Sequence, residues 1–125
     1  MDLIRDLLLR IEALPIGVGQ AFLLECNKPP LALAGDDPDA IYYNMKLLAE
    51  AGYLALTRTQ PGLGFAITGL TWEGHEFLDT VRDPEIWRKT KEGASKAGGF
   101  TVGLLAELAK GFVRTQIEKH TGVKL

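Results

Sequence analysis

Residues 36–70 leave this chain few ways to fold. Asp36 or Asp37 offers a helix N-cap, Pro38 suits the first helical position, and Asp39 sits where the helix dipole favours negative charge. Ile41, Met45 and Leu48 then recur on one helical face, and Gly52 supplies the left-handed residue that ends a helix. Residues 53–59 follow directly as a strand, Gln60-Pro61-Gly62-Leu63-Gly64 reads as a turn, and residues 65–70 return as the second strand of a hairpin. Thr71 caps the next helix, in which Gly74, Phe77, Leu78 and Val81 face inward.

Ahead of this block, Ile4, Leu7, Leu8, Ile11 and Leu14 mark an amphipathic helix that Asp2 can open and Pro15 stops. Between the two lies a segment without helical period. Gly17 and Gly19 break the helix, residues 19–26 can be extended, Asn27-Lys28-Pro29-Pro30 is a turn, and residues 31–34 suit a short strand. After Asp83-Pro84, residues 85–97 form a basic helix anchored by Ile86 and Trp87, and Gly98-Gly99 is a hinge or a tight turn. Thr101 opens a last helix with a wide apolar stripe of Leu104, Leu105, Leu108, Ala109, Phe112, Val113 and Ile117.

The fold class expected is mainly α with a small β-hairpin (α+β). The order of elements is that of a winged helix-turn-helix, residues 1–84, with a helical C-terminal extension, residues 85–125, packed on the same core or used for dimerisation. Residues 41–54 read as a recognition helix running into the wing. The first helix of the helix-turn-helix is the departure: residues 16–35 carry Gly, Pro and strand-like residues there instead, so the motif is truncated or remodelled.

With MDLIRDLLLRIE at the start, YYNMKLLAEAGYL in the middle and LTWEGHEFLDTVRDPEIWRKTKE after the wing, the chain resembles the bacterial and prophage family Domain of Unknown Function 2513. The resemblance covers most of the chain except residues 16–35. It implies a winged-helix protein in a phage or prophage setting and carries no established activity. The family pattern has a His where this chain has Asn44, so no role for an imidazole transfers to that position.

A length of 125 residues is about one domain, and 46% hydrophobic with 24% charged residues is the composition of an ordinary globule. No apolar run approaches the roughly 18 residues that span a bilayer, and charges interrupt the N-terminus too often for a signal peptide. Cys26 is the single cysteine, which excludes an intramolecular disulfide and fits a reducing, cytoplasmic setting. The net charge of −2 is unevenly spread: residues 1–56 hold four Lys/Arg against eight Asp/Glu, whereas residues 85–125 hold eight against four. A polyanion is drawn first to the C-terminal third.

The residues do not assemble an enzyme. His75 and Asp79 share a helix face but have no second cluster to complete a metal site. Ser95 stands on a Lys-rich helix, a poor setting for a triad, and Cys26 lies in an apolar stretch where packing is its ordinary role. Asp36-Asp37-Pro38-Asp39 serves a helix N-terminus, and the Gly-rich turns lack the context of phosphate loops. We therefore expect no catalytic residues, no metal and no cofactor.

Two functions remain. As a DNA-binding transcriptional regulator, the chain would meet double-stranded DNA with Tyr42, Tyr43, Asn44 and Lys46 on the recognition helix and Arg58 on the wing. Asn reads adenine, and Tyr, Lys and Arg contact phosphate. Against this, Asp36, Asp37, Asp39 and Glu50 surround the same face and oppose the counterion release behind DNA affinity. The alternative is a protein-interaction module that binds or inhibits a protein partner through the same surface. In either case the last helix has enough apolar surface to suggest a homodimer through Leu105, Leu108 and Phe112, and no membrane partner is expected.

Overall fold

The computed structural model describes residues 2–15, 20–33, 35–60, 64–98 and 101–122, with the side chains of residues 57–60 outside the description. The chain is mainly helical with one small antiparallel sheet. It separates into two compact units, Met1–His75 and Glu76–Leu125. The division falls inside a helix.

In the first unit, α1 (Asp2–Glu12) buries Ile4, Leu7, Leu8 and Ile11. Eleven residues of isolated helix are marginal in water. Burial of four aliphatic side chains, each contributing about 1.5–3 kcal/mol, is what holds it. Strand β1 (Phe22–Glu25) follows, then a series of turns, then α2 (Pro38–Glu50). The start of α2 has the expected cap: the Asp37 carboxylate accepts the Asp39 N–H at 3.1 Å, with Pro38 in the first helical turn. Ile41, Met45 and Leu48 are fully buried, and Gly52, at φ +81°, turns the chain out of the helix.

Strands β2 (Leu54–Gln60) and β3 (Gly64–Leu70) form the hairpin, and β1 adds to its other side to give the order β1-β3-β2. Phe22 lies opposite Ile67 and Leu24 opposite Phe65, while β2 brings Leu56 opposite Ile67. One face of the sheet is therefore apolar and helps to close the core with α1 and α2. Two irregularities in β2–β3, at Ala55/Leu56 and Leu56/Arg58, skip a residue on each strand in turn.

The segment before α2 corrects one expectation. Residues 31–33 of the proposed short strand are not a strand. Their polar backbone is already satisfied without a ladder: the Leu31 carbonyl accepts from Arg10, the Leu33 N–H donates to the Asp36 carboxylate, and Ala32 N–H donates to the Lys28 carbonyl. Ala34 lies outside the described residues. No helix precedes α2 where a helix-turn-helix would have its first one, among the described residues.

Helix α3 (Trp72–Val81) opens on Thr71, whose hydroxyl donates to the Gly52 carbonyl at 2.6 Å and accepts the Gly74 N–H at 3.1 Å. One side chain thus caps α3 and ties it to the end of α2. Gly74 passes so close to Tyr53 that a Cβ there would stand 2.3 Å from the Tyr53 carbonyl oxygen.

In the second unit Phe77, Leu78 and Val81 are buried. Asp83 caps α4 (Pro84–Lys96) by accepting the Glu85 and Ile86 N–H groups, and Thr101 caps α5 (Val102–Thr121) by accepting the Leu104 N–H. The two helices pack together, with Leu108 seated over Gly93.

A candidate recognition surface on the second helix

Because Ile41, Met45 and Leu48 turn α2 toward the core, its opposite face presents Asp39, Tyr43, Lys46 and Glu50 to solvent. The expected DNA-contacting residues separate into three groups on this scaffold. Tyr43, 60% exposed, and Lys46, with no ion pair among the described residues, stand on the open face.

Tyr42 and Asn44 are half-buried and already engaged. The Tyr42 ring lies against Phe65 of β3, centroids 5.6 Å apart and tilted by 35°, a packing contact between helix and hairpin. The Asn44 side-chain amide donates to the Ala40 carbonyl one turn back, at 2.8 Å. Arg58 is placed by its backbone opposite Ala66 in the hairpin, and its side chain lies outside the described residues.

The electrostatics of the face are acidic. Asp37, Asp39 and Glu50 are exposed around Lys46, and the Met1–His75 unit holds five Lys/Arg against nine Asp/Glu. Asp36 is neutralised by Arg10 at 3.0 Å.

Exposed apolar groups lie on the same unit. Trp72 is 75% exposed, and Leu23, Leu33 and Leu56 are exposed as well. Reasoning from the sequence missed Trp72, although the signal was present. The inward stripe begins at Gly74, and two residues at about 100° each place Trp72 well away from it.

Chemistry that would need a desolvated acid–base pair is not assembled among the described residues, where Thr90 is the one fully buried polar side chain. Its hydroxyl donates to the Ile86 carbonyl. No group of three or more His, Cys, Asp or Glu side chains comes together to hold a metal, and Asp79 is paired with Arg82. Burial pushes the Cys26 thiol up from its ordinary range, which favours the neutral thiol over the nucleophilic thiolate. No helix is long and apolar enough to cross a membrane, among the described residues.

The residues expected to mediate self-association also have assigned places. Leu105 is fully buried within the single chain, on the helix that packs with α4. Leu108 and Phe112 are half-buried.

A family model described as "Hypothetical protein (DUF2513)" matches residues 1–100. The chain belongs to the DUF2513 family. The match takes in the whole of α1 through α4, including the α2 face and the hairpin. A relative described as an uncharacterized protein of Haemophilus influenzae is 30% identical over 92 residues, 72% of each chain. No solved structure matches.

Proposed function

We propose that this DUF2513 chain is a non-enzymatic winged helix-turn-helix protein that binds double-stranded DNA, with α2 as recognition helix and the β2–β3 hairpin as wing. The observation that carries the reading is topological. A helix anchored by three buried side chains runs straight into a hairpin, in a sheet of order β1-β3-β2, and keeps Tyr43 and Lys46 open on its outer face. Tyr42, through Phe65, fixes the helix against the wing and so sets the angle at which that face is presented.

The test is a titration of fluorescent duplex, taken from upstream of the protein's own coding sequence, at low and at moderate salt. Lys46→Ala should weaken binding and flatten the logarithmic salt slope by about one unit. Binding too weak to measure at low salt, or untouched by Lys46→Ala with Arg58→Ala, removes this reading.

A second reading, a surface for a protein partner, is favoured by the exposed Trp72 and Tyr43 together with the acidic residues around them. Charge reversal separates the two. Asp39→Lys with Glu50→Lys removes repulsion from phosphates and should strengthen duplex binding, whereas a protein partner attracted by those carboxylates would associate more slowly.

A further inference from the structure

The geometry points to a ligand site between α4 and α5: a groove for a small amphiphilic anion, a carboxylate or phosphate ester carried on an apolar body about one aromatic ring in size. The groove lies wholly within the Glu76–Leu125 unit and encloses about 180 Å³. An apolar cavity of roughly 150 Å³ takes up benzene, so the space suits a single ring. Ile86, buried, and Phe112, half-buried, supply apolar lining.

The charges around it are unbalanced. Lys89 comes from α4 and Lys119 and His120 from α5, and none of the three has an ion pair among the described residues. Glu85 is the one carboxylate among the lining residues, and it is held by Arg88, which also takes Glu92 at 2.6 Å. The Glu85 and Ile86 N–H groups at the start of α4 are consumed by Asp83, so recognition of an anion falls to side chains. Thr115, whose hydroxyl donates to the Gly111 carbonyl, and Gln116 add polar groups to the lining.

Lys119 also offsets the negative end of α5. That role does not account for Lys89 on the other helix or for the apolar space between them. A neutral apolar ligand would leave Lys89 and Lys119 without a counter-charge, and a bare inorganic anion would leave the floor against water. An amphiphilic anion satisfies both. This inference is independent of what α2 binds.

The experiment uses the full chain, labelled with ¹⁵N and titrated in separate arms with phenyl phosphate, phenylacetate, inorganic phosphate and benzyl alcohol. Saturable shifts at the Ile86, Phe112 and Thr115 amides are expected from one or both aromatic anions, and the two arms distinguish phosphate from carboxylate recognition. Inorganic phosphate and benzyl alcohol should bind more weakly. Lys89→Glu with Lys119→Glu should weaken the aromatic anion about tenfold, while Arg114→Glu, outside the lining, leaves it unchanged. Added salt gives a second measure on the unaltered protein, because it should weaken the anions and spare benzyl alcohol. Shifts that do not saturate, equal affinity for inorganic phosphate, or a double variant that binds like the parent would overturn the proposal.

Discussion

Arg10 reaches from α1 to the turn before α2, where its guanidinium donates to the Asp36 carboxylate at 3.0 Å and to the Leu31 carbonyl at 2.7 Å. The same Asp36 oxygen accepts the Leu33 N–H, so one cation and one carboxylate hold the segment that stands in place of a helix. Both side chains are mostly withdrawn from water, at 18% and 25% exposed. Arg10→Ala should therefore destabilise the fold by about 1–3 kcal/mol, in the range for a hydrogen-bonded charge left without its partner. Urea unfolding measures it, and a loss under about 0.5 kcal/mol would mean that the pair behaves as a surface salt bridge.

Two helical glycines should respond to alanine with opposite signs. In the interior of an exposed helix Gly→Ala stabilises by about 1 kcal/mol, and Gly111, with open space around it, should follow that rule. Gly74→Ala would place its Cβ 2.3 Å from a backbone oxygen of Tyr53 and should cost about 1–3 kcal/mol. Thermal unfolding of the two variants side by side checks the pair, and a stabilised Gly74→Ala would show that α3 does not approach Tyr53 so closely.

Phe77 is 2% exposed, and Phe77→Ala should cost about 3–5 kcal/mol, the range for deleting a buried ring. Equilibrium unfolding in urea reads the value directly. A loss below about 1 kcal/mol would place the ring outside the core.

For Cys26 the relevant variable is pH. Burial raises its pKa in the folded state, whereas the unfolded chain ionises near the ordinary value of about 8.5. Its contribution to stability is fully present below that unfolded value and is lost as pH rises above it. The urea midpoint should accordingly fall more between pH 8 and pH 10 (about two units of alkaline titration) in the parent than in Cys26→Ala. A thiol reagent should label the native protein slowly at neutral pH and rapidly in urea. Equal rates would show the thiol to be exposed.

Self-association through α5 turns on how much apolar surface that helix leaves open. A stable interface needs on the order of 800 Å² per partner. With Leu105 buried and Leu108 against Gly93, Ile117 at 39% exposed is the large apolar side chain most open on that helix among the described residues. Ile117→Lys should leave the mass measured by light scattering unchanged; a shift to lower mass would locate a subunit contact there.

What could be read from the sequence was what depends on neighbours along the chain. The Asp37 cap with Pro38, the stop at Gly52, the Thr71 cap and the Ile41–Met45–Leu48 stripe are set within a turn or two of helix, and they placed α2, β2, β3 and α3. The tertiary structure decided the rest, because it turned on partners far apart in sequence. Arg10 and Asp36 are 26 residues apart, and their pairing satisfied a backbone that the pattern read as a strand. Tyr42 and Tyr43 are adjacent and equally suited to a recognition helix. The 100° between them sends one ring against Phe65 and leaves the other in water. The stripe on α5 was legible as apolar, but its packing against α4, with Leu108 over Gly93, could be known only once the two helices were placed.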